Sequence, residues 1–267
     1  MYHNLKMLAQ QHINAFKNAL VLLVLTGFTY ACKNDASTTT SSANPTPPEI
    51  TQESFKKSEG DCEKNCADFE LHYPVVKTGS PALREAVKNW VENSVAEMCA
   101  QTEDGTIPKM TIDQASATFI DQWKSSQSEL PYEFDLKDSV LMCNAQYVTL
   151  RLDIYMYTGG AHPNYFTKLA VFDATNGTIV PKSTFINDEQ AILPLLDMVY
   201  KSEKSEAFAA GNAYMDGYII FPEQCAFTEN GVLFHYNTYE IAPYAMGDAD
   251  IFMTWTDLGN AATKLIK

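Results

Sequence analysis

Gln146-Tyr147-Val148-Thr149-Leu150-Arg151-Leu152-Asp153-Ile154-Tyr155-Met156-Tyr157 decides the fold class. Val148, Leu150, Leu152, Ile154 and Met156 fall on one side; Tyr147, Thr149, Arg151, Asp153, Tyr155 and Tyr157 fall on the other. Side chains alternate across a strand with a period of two, so this stretch is a strand with one apolar and one mixed face. Upstream, Tyr132, Phe134 and Leu136 alternate with Glu133, Asp135 and Lys137. Downstream, Tyr165–Asp173 reads as a strand that Thr175-Asn176-Gly177 turns into Thr178–Val180. Gln224–Phe227, a turn at Glu229-Asn230-Gly231, Val232–Tyr236 and Asp250–Trp255 continue the pattern, and a short helix closes the chain.

Before residue 130 the period is mostly helical. Ser80-Pro81 is an N-cap followed by proline at the first helical position, and Leu83, Val87, Trp90, Val91, Val95 and Met98 then share one face. Thr111 with Gln114 forms a capping box that opens a second helix bearing Ile112, Phe119, Ile120 and Trp123. Glu70–Val76 reads as a strand, with Pro74 favouring an edge position. A helix over Glu189–Lys201 meets a boundary or kink at Pro194. Helices first, strands mostly later and short turns between them make the expected fold α+β, a largely antiparallel sheet with helices packed against it. The expected division is an N-terminal α/β subdomain over 60–130 and a C-terminal α+β subdomain over 131–267, packed together.

Residues 1–31 look like an export signal: Lys6 and Lys17, no acidic residue, an apolar run Ala19–Leu25 and small Ala31 at the end. That run is too short to span a bilayer, which takes about 20 apolar residues. Cys32 follows, as at bacterial lipoprotein cleavage sites, although Thr29 stands where such sites usually carry Leu. Ser, Thr and Pro dominate the next residues, so 32–59 is expected to be a solvated tether from a lipid anchor at Cys32. Ordinary secretion is the alternative. The expected location is outside the cytoplasm, on the periplasmic side of a membrane or at the cell surface.

The chain has 33 Asp+Glu against 19 Lys+Arg, a formal net charge of -14. Loss of the signal removes two lysines and leaves -16. No basic stripe is available for nucleic acid. No G-x-S-x-G, P-loop, G-x-G-x-x-G or H-E-x-x-H is present. Cys62-x-x-x-Cys66 has no second cysteine pair to complete a metal site, so neither a metal nor a cofactor is expected. With Cys32 lipidated, Cys62, Cys66, Cys99, Cys143 and Cys225 remain, and two structural disulfides of open connectivity are expected among them in an oxidising compartment.

Two segments carry candidate chemistry. Tyr157-Thr158-Gly159-Gly160-Ala161-His162-Pro163 frees the backbone at its glycines and stiffens it after His162. It presents the histidine and backbone N–H groups to a ligand, or it is a sharp connector whose histidine bonds its own loop. Tyr236-Asn237-Thr238-Tyr239-Glu240-Ile241-Ala242-Pro243-Tyr244-Ala245-Met246-Gly247 offers tyrosines with large amphipathic contact area. It is a binding loop or a packed irregular one. Glu240 is a candidate general base without an evident partner.

Together with Phe172-Asp173 and Thr175-Asn176-Gly177, these segments resemble an extracytoplasmic bacterial domain family. That family forms the outer domain of lysozyme-sensing RsiV-type anti-sigma factors, accompanies the catalytic domain in some peptidoglycan N-deacetylases, and stands alone in lipoproteins of unknown function. The motifs span Tyr132 to Leu258, and Cys66 to Trp123 resembles the smaller companion domain more loosely. The resemblance implies ligand capture outside the membrane, not sigma-factor binding or deacetylation, whose segments this sequence lacks. The leading expectation is a non-enzymatic, lipid-anchored module for a cell-wall glycan or a lysozyme-like protein. Tyr157, Gly159, Gly160, His162, Pro163, Tyr239, Glu240, Pro243 and Tyr244 would form its face, with the two loops close together. The alternatives are a wall-polymer hydrolase using His162 with Glu240, Asp248 or Asp250, and a structural envelope lipoprotein.

Overall fold

The computed structural model describes residues 46–100, 105–127 and 129–266. The signal and Cys32 lie outside these residues. Strands β1 (Ile50–Asp61), β2 (Asn65–Val76), β3 (Tyr132–Cys143), β4 (Tyr147–Thr158) and β5 (Asn164–Asp173) form one sheet in chain order. All neighbours are antiparallel except β2 and β3, which run parallel across Ala67–Leu71 and Tyr132–Leu136. Helices α1 (Pro81–Cys99) and α2 (Ile112–Ser126) make the crossover between them. A second, antiparallel sheet holds β6 (Gln224–Phe227), β7 (Gly231–Tyr236) and β8 (Ala249–Thr254). Helices α3 (Glu189–Glu203), α4 (Ser205–Ala209) and α5 (Trp255–Leu258) complete a mixed α+β fold, its strands largely antiparallel as expected.

The caps act as their residue types require. The Ser80 hydroxyl accepts from the Leu83 N–H, Thr111 and Gln114 close a full capping box, and Asp188 caps α3 by accepting from the Ala191 N–H. Pro194 lies within α3, which continues through it to Glu203. Helices α1 and α2 cover one face of the large sheet, where Phe69 stacks on Phe134 at 4.6 Å and both meet Phe119. Burial of each such ring contributes about 2–3 kcal/mol. A second core joins α3 to the small sheet through Ile192, Leu196, Tyr200, Phe227, Phe234 and Ile251.

Four expectations need correction. The tether ends earlier than residue 59, because Ile50–Asp61 pairs with β2 along its whole length. Its sparse apolar residues suit a sheet edge, where one face and one row of backbone groups meet water. Pro74 lies on a strand flanked by β1 and β3, yet β3 pairs only as far as Leu71, so Pro74 sits past the ladder on that side. Thr178–Val180 forms no strand; Ile179 makes only a bridge to Phe172. Among the described residues there is one disulfide, Cys62–Cys66 across the β1–β2 turn, while Cys99 on α1 and Cys225 on β6 are free thiols. The large sheet takes strands from both sides of residue 130.

Burial pushes the Cys99 thiol up to about 12, and burial does the same to Cys225 against the partial opposition of Lys182. At pH 8 the reactive thiolate is then on the order of one molecule in ten thousand at either site. Iodoacetamide is expected to spare both cysteines in native protein and to label both in urea, as read by peptide mass spectrometry. Rapid native labelling of either would show that the surrounding core opens.

Candidate functional site

The small sheet is fastened to the outer edge of β5 by side chains that imitate a strand. The Thr167 N–H donates to Asn237 Oδ1 (2.7 Å) and Asn237 Nδ2 donates back to the Thr167 carbonyl (3.2 Å), while the Leu169 N–H donates to Gln224 Oε1 (2.8 Å). An edge that would otherwise offer free backbone groups is thereby closed. Beside it, on the mixed face of β4, Arg151 holds both Asp153 oxygens (2.8 and 2.9 Å) and Asp250 Oδ2 (2.6 Å). His235, wholly buried on β7, meets the other Asp250 oxygen through Nδ1 at 2.6 Å, and its Nε2 is buried without a partner. Burial alone would raise the Asp250 carboxyl; the His235 hydrogen bond and the Arg151 charge outweigh it and hold the group below the ordinary carboxylate range.

That junction brings the two candidate loops together at one end of the molecule. Gly159 takes a positive φ of 77°, which lets the chain turn sharply out of β4. Beyond it the His162 ring stacks on Tyr244, centroids 3.8 Å apart and planes at 22°. Tyr239 reaches the same imidazole, its Oη 3.2 Å from Nε2, and Tyr244 Oη donates to the Pro163 carbonyl at 3.0 Å. His162 Nδ1 also faces that carbonyl at 3.0 Å. These partners place the proton on Nδ1, which donates to Pro163, and leave Nε2 to accept from Tyr239. Tyr239 itself sits at φ 69°, uncommon for a residue with a side chain, and is 49% exposed. Its one side-chain hydrogen bond, to His162, and its ring contacts with His162 and Tyr244 lie at the exposed end of the loop.

The aromatic surface extends beyond the two loops. Tyr165 is 46% exposed at the start of β5 and meets Tyr155 of β4 edge-on at 5.3 Å. Tyr155 Oη donates to Glu133, and burial together with that carboxylate pushes its phenol up to about 12. Burial raises the Tyr244 phenol, and Tyr165 and Tyr239 act on it in the same direction. The sequence reading missed Tyr165, although it directly follows the His162-Pro163-Asn164 turn and alternates onto the same face as Thr167.

The carboxylates have other employment than the sequence suggested. Glu240 accepts from the Glu223 N–H (2.9 Å) and the Asn237 N–H (2.8 Å), so both its oxygens brace the loop. Asp248 is exposed, and it is its backbone carbonyl that accepts from Lys204 (2.7 Å). Asp250 belongs to Arg151 and His235. His162 has no hydrogen bond to any of the three. Among the described residues no group of three or more His, Cys, Asp or Glu is arranged to hold a metal ion. No helix among them is long and apolar enough to cross a membrane.

Fold and face define a class of protein: a two-sheet α+β unit that presents paired loops at the place where its sheets are joined. Residues 61–165 match the family described as Deacetylase PdaC, and residues 185–256 match the Protein of unknown function (DUF3298). The two matches agree with the resemblance carried by the loop motifs. Both families are of extracytoplasmic type. A crystal structure of a DUF3298 family member from Bacteroides fragilis is similar to this fold, with TM-score 0.65 and 19% identity over 83% of this chain and 96% of that one. A DUF3298 family protein from Pseudomonas aeruginosa PAO1 is also similar, with TM-score 0.57 and 17% identity over 82% and 95%. No curated protein matches the chain. His162 falls within the first matched domain and Tyr239 and Tyr244 within the second, so the aromatic cluster takes one loop from each.

Proposed function

We propose that the chain is a lipid-anchored extracytoplasmic binding module, without catalytic activity of its own, for a wall-degrading protein of lysozyme type or for a cell-wall glycan. One observation carries this reading: the loops at 157–163 and 239–244 converge on an exposed aromatic cluster whose histidine is hydrogen-bonded to a carbonyl and a phenol. Such rings give contact area at low entropic cost, while an imidazole without an acid partner is poorly placed for proton transfer. The net charge of -14 favours a basic protein among these ligands, because opposite charge accelerates encounter.

The test is capture of lysozyme and of purified wall fragments by the protein at two salt concentrations. Tyr239→Ala, at an exposed ring, is expected to weaken capture about tenfold or more with an unchanged melting temperature. A basic protein ligand is also expected to bind less tightly at the higher salt. Capture that survives Tyr239→Ala and Tyr244→Ala together would remove the loop face from the proposal. Turnover of muropeptides that disappears in His162→Ala would make the protein an enzyme instead.

A further inference from the structure

A trough of about 370 Å³ runs between α1 and β5, on the opposite side of β5 from the Tyr155–Tyr165 surface. We propose that it binds a neutral oligosaccharide, at a site separate from the loop face. Its volume lies in the range of small-ligand clefts. Trp90 lines it, half-buried and edge-on to Phe172 at 5.7 Å, so the indole is fixed while part of it stays open. Asn89, Asn93 and Glu97 follow one another at four-residue intervals, and therefore line one side as a row about 12 Å long. Ile179, 52% exposed, and Lys168 form the opposite wall, and Lys168 closes the far end through an ion pair with Glu97.

The chemistry selects the ligand. An apolar sugar face stacks on an indole, and a carboxamide both donates to and accepts from hydroxyl groups, which do the same in return. The ion pair is neutral as a unit, and the chain's charge of -14 disfavours an anionic ligand. A row of polar groups beside an open trough suits a linear chain of rings. An extended peptide would instead add to the edge of β5, but the Thr167 and Leu169 groups there are already taken by Asn237 and Gln224.

The test titrates the full chain with chitotetraose, cellotetraose and an uncharged peptide of similar length, by calorimetry and tryptophan fluorescence. Saturable binding of an oligosaccharide is expected, weakened at least tenfold by Ile179→Arg and by Asn93→Ala, both at exposed positions, and unchanged by Tyr239→Ala. Trp90→Ala is expected to abolish it, with circular dichroism checking the fold because Trp90 also packs on Phe172. The proposal is overturned by absence of saturable sugar binding, by preference for the peptide, or by full affinity in both Ile179→Arg and Asn93→Ala. Sugar binding lost in Tyr239→Ala but kept in Ile179→Arg would assign the sugar to the loop face and empty the trough of its role.

Discussion

Asp250→Ala is expected to destabilise the protein by about 3 kcal/mol, the range for removing one partner from a largely buried ion pair. Asp250 is the point where three groups meet: Arg151 of the large sheet, His235 of the small one, and the solvent that still reaches 30% of its side chain. Without it the Arg151 guanidinium, 16% exposed, keeps Asp153 but loses one of its two acidic partners. His235, whose Nε2 is already unpaired, then has no partner at either ring nitrogen. Native domains are stable by roughly 5–15 kcal/mol, so the loss is a large fraction of the total.

The pH dependence has a definite sign. The folded-state pKa of Asp250 lies below its usual value. Its contribution is therefore fully present above the unfolded value of about 3.9 and fades as pH falls through the lower folded one. Urea midpoints of wild type and Asp250→Ala should differ most near neutrality and draw together as pH falls below the unfolded value of about 3.9. A gap that stays constant over that interval would mean that packing, not charge, holds the junction.

Legibility followed the range of the interactions. β4 could be read because its alternation is local, and α1 and α2 because Ser80, Thr111 and Gln114 bond to backbone within three residues. β1 was hidden because an edge strand needs few apolar residues, and Ile50 and Phe55 among charged neighbours look like tether. The parallel pairing of β2 with β3 depends on a crossover of two helices, for which no local pattern exists. The same division runs through the site. Tyr239, Tyr244 and His162 stood out by residue type, and the structure brings them into contact. The work of Asp250 was unreadable because its partners His235 and Arg151 lie 15 and 99 residues away, and that of Glu240 because, beside the nearby Asn237 N–H, it accepts from Glu223, 17 residues away. A carboxylate beside a tyrosine-rich loop looks like a base until its hydrogen bonds are known.

Gly231→Ala is expected to cost at least about 3 kcal/mol, the upper part of the range for overpacking. A Cβ at this position would stand 2.0 Å from the Met253 carbonyl oxygen and 2.9 Å from the Phe252 ring. The oxygen belongs to the β8 backbone, so no side-chain rotation relieves the overlap, and β7 must separate from β8 where Gly231 pairs with Thr254. The consequence reaches the candidate site. β7 ends at Tyr236 and leads directly into Asn237, whose carboxamide holds β5, and then into Tyr239. Displacement of β7 is therefore expected to loosen the loop face as well as the fold, so that capture by the loops and thermal stability fall together in this variant. Tyr239→Ala should reduce capture alone. The trough beside α1 does not touch the small sheet, and sugar binding there should persist in whatever fraction of Gly231→Ala remains folded. If Gly231→Ala melts like wild type, the close approach of β7 to β8 is not a feature of the folded protein, and the route by which the small sheet positions Tyr239 falls with it.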